Sequence, residues 1–220
     1  MKRTQKISWL LVLVFFLGSS TLSFSQAIKD FFNNTTTPLT YLGIDYAKNR
    51  LINDPGGNAS DIKNRLYASM NDVVIAEIPK NYNISGAFSR TGDVSTDISA
   101  ITARNEKINT AEIMSSNPGD FNRLTEADIA AEVKTLFFKD KAGVGLLFIM
   151  EAMKKEEKKS YGAVWVVLVD MKTKRVLMSE RMEQEAAGFG FRNFWVSIIK
   201  KSILEINKKK YDAWKTKYAG

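Results

Sequence analysis

The chain has 220 residues, 45% of them apolar and 25% charged, the balance of a globular protein long enough to bury a core of its own. It contains neither cysteine nor histidine, which excludes disulfides, thiolate nucleophiles, and the imidazole-based triads and zinc sites that most hydrolases use. The formal net charge of +8 is concentrated at the two ends: Lys2, Arg3 and Lys6 open the chain, and residues 200–217 hold seven lysines against Glu205 and Asp212, so the remainder is neutral overall.

Residues 1–25 follow the grammar of a secretory signal peptide: a basic start, the unbroken apolar run Trp9–Leu17, then small residues at Ser23 and Ser25. Cleavage is expected after Ser25. The competing reading is an uncleaved anchor helix, which needs about 20 apolar residues. Ile7–Gly18 supplies 12 before Ser19, Ser20 and Thr21 intervene. Lipid attachment at a new amino terminus would need a cysteine. Gln26–Pro38, with Asn33, Asn34 and three consecutive threonines, reads as a polar leader arm, and residues 39–220 read as a single domain.

Leu39–Asp45 reads as a first strand, and Asp54-Pro55-Gly56-Gly57 breaks it. Asn58 or Ser60 caps a helix expected from Asp61 to about Ile78, with Ile62, Leu66, Met70, Val73 and Ile78 on its buried face and Pro79 at its end. Ile84–Phe88 is expected to be a strand, and Val94–Ala103 a strand or a loop. Thr125, with Asp128 three residues on, is a capping pair for a helix reaching about Phe138, with Ile129, Val133, Leu136 and Phe137 inward. Gly145–Met150, Ala163–Val169 and Arg175–Glu183 are three strand-length runs, the second apolar enough for burial on both faces. Gly188 and Gly190 end the third, and Trp195, Ile199, Ile203 and Ile206 form the core stripe of a long last helix. The predicted class is α/β (α+β): a single mixed sheet with a C-terminal three-stranded antiparallel meander, helices packed on the sheet, and a long C-terminal helix.

The hairpin Val167–Leu177, with Asp170, Thr173, Val176 and Leu177, resembles a pattern apolar-x-Asp-x-x-Thr-Gly-x-Val-Leu. That pattern belongs to exported bacterial envelope domains: those of the curli-secretion lipoprotein, the peptidoglycan-synthase activator lipoproteins, and the amino-terminal part of the Tol-system β-propeller protein. Lys174 stands where the pattern has Gly, and the lipid-bearing cysteine is missing. The resemblance implies a role in envelope assembly or regulation without catalysis, and it carries over no functional residue.

Several short patterns bear on chemistry. Ser197-Ile-Ile-Lys200 and Ser60-Asp-Ile-Lys63 match Ser-x-x-Lys, but the companion motifs of penicillin-recognising enzymes are absent, so a helix-surface Ser beside a Lys explains both. Gly188 and Gly190 ahead of a helix, with Arg192, form a candidate anion or partner contact; the plainer reading is a packing turn with Phe189 and Phe191 in the core. Asp45, Glu151 and Asp170 end predicted strands and are candidates for a carboxylate-dependent glycan hydrolase, or are simple strand terminators. Lys208, Lys209, Lys210 and Trp214 on the last helix, with Tyr211 and Tyr218, offer a contact with an anionic membrane surface or a partner, or complement the helix dipole.

The expectation is an exported periplasmic or extracellular protein, soluble after cleavage and non-enzymatic. It has no assigned catalytic residue, cofactor or metal, and its partner is another envelope protein or a surface polymer rather than nucleic acid. Processing at Ser25 leaves Gln26 as the first residue, which amino-terminal sequencing of the chain recovered from exporting cells will check; an intact Met1 start would overturn it.

Overall fold

The computed structural model of the protein describes residues 26–92 and 94–220, so the expected signal peptide lies outside the described residues. The organising element is a 12-residue strand, β5 (Val144–Lys155). Along one edge β1 (Leu39–Asp45) and β2 (Arg50–Ile52) lie end to end, both parallel to β5, with Thr40 opposite Gly145 and Ile52 opposite Lys154. Two-residue strands, β3 (Ser95–Thr96) and β4 (Met114–Ser115), extend β1 and β2 in parallel. Along its other edge β5 pairs antiparallel with β6 (Ser160–Asp170), and β6 with β7 (Arg175–Glu185). The sheet is therefore mixed, parallel on one side of β5 and antiparallel on the other.

Alternation along the strands divides the core in two. Leu146, Phe148 and Met150 of β5 and Val164, Val166 and Leu168 of β6 face one apolar cluster. Leu147 and Ile149 of β5 and Trp165, Val167 and Val169 of β6 face the other. The first face is covered by α1 (26–33), α2 (59–76), α3 (Ile84–Ala87) and α6 (191–219). The second is covered by α4 (Ser99–Asn105) and α5 (Glu126–Lys134). Burial on both faces explains why Ala163–Val169 carries no polar alternation.

Where β3 ends, the outer edge of β1 has no further strand partner among the described residues. Side-chain amides serve instead. Asn71 of α2 accepts from the Ile44 N–H at 2.7 Å and donates to the Ile44 carbonyl at 3.2 Å, and Asn105 of α4 donates to that carbonyl and accepts from the Tyr46 N–H. Asn71 is buried, so these bonds satisfy backbone groups that water does not reach.

Several elements differ from the sequence reading. The polar leader arm is a helix: Ile28, Phe31 and Phe32, at helical spacing, are in the core, and Phe32 stacks on Tyr218 of α6 at 6.0 Å. Arg90 clamps this contact, lying 4.2 Å above the Phe31 ring and donating to the Tyr211 hydroxyl. Ile84–Phe88 is not a strand; Asn83 caps it as a helix by accepting from the Gly86 N–H. Val94–Ala103 divides between β3 and α4. The Thr125–Asp128 capping box is present, but α5 stops at Lys134 and Phe137 is exposed, while Phe138 enters the core.

Both long helices contain one π-turn, Ile62–Leu66 in α2 and Ile206–Lys210 in α6. In each the Tyr that follows, Tyr67 or Tyr211, donates to the carbonyl five residues back. The extra residue moves the buried stripe by one position. In α6 it runs Ile203, Ile206, Tyr211, Trp214; in α2 it continues through Tyr67, Met70 and Val74 rather than Val73 and Ile78.

The β6–β7 hairpin resolves the Lys174 departure. The Asp170 carboxylate accepts from the Lys172 and Thr173 N–H groups, and Lys174 adopts φ +57°, the left-handed conformation for which the resembling hairpins use Gly. An L-residue there costs about 1–2 kcal/mol, partly offset by the greater entropy that Gly loses on folding. Lys174→Gly should therefore raise stability by about 0.5–1 kcal/mol, read as a higher urea midpoint at unchanged slope.

Candidate functional site

Strand direction places a cleft between two helix starts. β2, β5 and β7 run the same way, so α2, which follows β2, and α6, which follows β7, both begin at the carboxyl ends of these strands. Ligand crevices of open α/β sheets form at such ends. Between the two helix starts lies a cleft of about 520 Å³, lined among others by Asp54, Arg65, Lys155, Phe189, Gly190 and Arg192.

Each side chain has a local reason for its position. Asp54 opens the Asp-Pro-Gly-Gly turn after β2; its buried carboxylate pairs with Lys155 at the end of β5 at 2.9 Å, fastening turn to sheet. Asn58 caps α2 by accepting from the Asp61 N–H, and Asp61 takes Arg65 in a two-point pair at 2.8 and 2.7 Å, which lowers the Asp61 pKa. Across the cleft Gly190, at φ +74°, starts α6 without a side-chain cap. Gly188, at φ +122°, holds a backbone that L side chains rarely adopt, and a Cβ there would lie a tight 3.2 Å from the Asn193 carbonyl oxygen. Between the two glycines Phe189 is 94% exposed, whereas the packing-turn reading placed it in the core. Arg192 is exposed and, among the described residues, donates to the adjacent Asn193 side chain.

The other sequence candidates are not brought here. Lys208 lies 16 residues beyond Arg192 on α6, about 24 Å along the axis. Lys210 bends inward to Glu180 at 2.5 Å, and the buried Trp214 indole donates to the same carboxylate. Trp214 is thus a core residue rather than a contact ring, and so is Tyr211. Ser197 of the Ser-x-x-Lys match donates to the Phe194 carbonyl and accepts from the Ala187 N–H, while Lys200 reaches Asn81.

The strand-end acids have separate structural partners. Asp170 lies opposite Val144, seven residues from Glu151 along β5, or about 23 Å. Glu151, fully buried in the β5 bulge, accepts four hydrogen bonds: the Arg123 and Leu124 N–H groups at 2.6 and 2.7 Å, the Trp165 indole at 3.2 Å, and Arg181 at 2.7 Å. Removing one partner of such a buried pair costs about 3–5 kcal/mol. Asp45 accepts from the Ala47 N–H and pairs with Arg104 at 3.2 Å, and Arg104 also binds Glu132. The partners Arg104, Arg123, Glu132 and Arg181 carried no signal in the sequence, because they meet only across elements. Asp54 did carry one, as the first residue of a breaker between a strand and a capped helix; Arg65 and Lys155 carried none, because they join the cleft only through the fold.

No protein-family model matches the chain, and no curated protein is similar to it. Among solved structures, lipoprotein GNA1162 from Neisseria meningitidis is similar over 77% of this chain and 96% of that one, at 12% identity and a TM-score of 0.30. Among the described residues no helix is long and apolar enough to cross a membrane.

Burial pushes the Asp45 carboxyl up from its usual value, against the opposing pull of Arg104, the Ala47 N–H and Lys48. A carboxyl whose folded pKa is raised destabilises the fold at neutral pH, and the penalty fades as pH falls through that pKa toward the unfolded value. Asp45→Asn keeps an acceptor for Ala47 and leaves Arg104 its Glu132 partner. It should be at least as stable as the wild type at pH 7, with the difference shrinking toward pH 4, as read from urea midpoints at both pH values.

Proposed function

We infer that the chain is an exported, non-enzymatic envelope protein, a binding or assembly module that meets another envelope protein at the cleft between the starts of α2 and α6. The export reading rests on residues 1–25. The non-enzymatic reading is supported by the acids themselves: Glu151, Asp45 and Asp170 are each held in structural hydrogen bonds, and Asp170 is remote from the other two. A glycan hydrolase would need two carboxyls about 5–9.5 Å apart flanking a cleft.

Phe189 carries the contact assignment. A phenyl ring 94% exposed at the rim of a cleft, beside Arg192, matches a protein segment that presents an apolar side chain next to an acidic one. The two glycines fix the backbone that holds the ring outward.

A photo-reactive phenylalanine placed at position 189 in exporting cells should cross-link to a discrete envelope protein, and Arg192→Glu in the same chain should lower that yield at least tenfold. The same probe at Phe137, which is 65% exposed on the opposite helical layer, serves as the control. Equal yields at 189 and 137, or no response to Arg192→Glu, would overturn the assignment.

A further inference from the structure

The basic end of α6 differs from the surface that its sequence implies. Its rings do not face outward: Tyr211 and Trp214 are buried, and Tyr218 stacks on Phe32. Lys210 is neutralised by Glu180. Lys208, Lys209, Lys215 and Lys217 remain, all exposed, and among the described residues no acid lies within ion-pair distance of them. Asp212 is the one acid within that stretch, so the segment presents a local excess of three positive charges while the rest of residues 26–220 outside 200–217 is neutral. Dipole complementation accounts for charge in the last turn of a helix. Lys208 and Lys209 lie more than two turns from the end at Ala219, beyond the reach of that effect.

We propose that Lys208, Lys209, Lys215 and Lys217 form an adsorption face for the anionic headgroups of a lipid bilayer. The contact is electrostatic and without insertion, because the aromatic rings that would enter the bilayer are occupied in the core. It is independent of the Phe189 cleft, which lies at the opposite end of α6. Each lysine near an anionic membrane surface contributes about 1 kcal/mol, a factor of about five in partitioning. Adsorption through unpaired charges is also screened by salt, since the Debye length falls to about 3 Å at 1 M.

The test is co-sedimentation of the processed chain, residues 26–220, with vesicles of phosphatidylethanolamine and phosphatidylglycerol in a 7:3 ratio. The wild type should bind at 0.1 M salt, release at 1 M, and ignore phosphatidylcholine vesicles. Lys208→Glu with Lys209→Glu and Lys215→Glu should reduce binding by about a hundredfold or more. All variants are compared without residues 1–25, so Trp9–Leu17 makes no contribution to binding. A control with the same change in net charge, Lys107→Glu with Lys134→Glu and Lys172→Glu, should bind within about threefold of the wild type. All six positions are exposed, and circular dichroism of both triple variants checks that each is folded before binding is compared. Equal losses in the two variants, or salt-resistant binding by the wild type, would overturn the proposal.

Discussion

Glu151 is the residue on which the second face of the sheet depends. A carboxylate at full burial is tolerable only when its acceptor sites are filled, and here each oxygen takes two donors. Those donors come from three places: the backbone ahead of α5, the indole of β6, and a guanidinium of β7. One side chain therefore sets where the 117–125 segment crosses the sheet, and so where the capping box of α5 begins. Arg181 extends the tie by donating to the Phe121 carbonyl at 2.5 Å and lying over the Phe121 ring. The bulge at Glu151 in the β5–β6 ladder is the backbone counterpart, re-aiming one side chain in an otherwise regular strand.

A second constraint is directional. β5 accepts parallel neighbours on one edge and antiparallel neighbours on the other, so β2 and β7 point the same way although they belong to different halves of the sheet. Their helices consequently start side by side. The cleft is thus a product of topology, and loop composition finishes it: Asp54-Pro-Gly-Gly on one rim and Gly-Phe-Gly on the other. The Asp54–Lys155 pair ties the first rim to the strand at its floor.

The sheet and its helices were legible where the signal was local and periodic. The apolar runs of β5 and β6, the Thr125–Asp128 pair and the Trp195–Ile203 stripe needed no tertiary information. Ile28, Phe31 and Phe32 had the right spacing, but the surrounding asparagines and threonines outweighed three residues in a short window. Ile84–Phe88 had strand composition, and tertiary context with an Asn83 cap prevailed over it. Trp214 sits among lysines, which masks its burial in the sequence; one Glu on β7, distant in sequence, draws Lys210 and Trp214 inward together. The Phe189 rim was marked by its glycines, but the exposure of the ring follows from backbone angles that no spacing rule supplies.

The paired π-turns set a tolerance on chain length. Each holds one residue more than an α-helix of the same span requires, so deleting a single residue from Ile206–Lys210 would let the hydrogen-bond ladder close as ordinary α-helix. The spacing from Ile206 to Tyr211 would then fall from five residues to four, and the helix after the deletion would keep its orientation to the sheet. Trp214 would stay against Glu180, and the ring of Tyr218 against Phe32. The docking of α1, at the other end of the chain, therefore tolerates loss of a residue within the π-turn, whereas the same loss between Tyr211 and Trp214 would turn the end of the helix by about 100° and part the two termini.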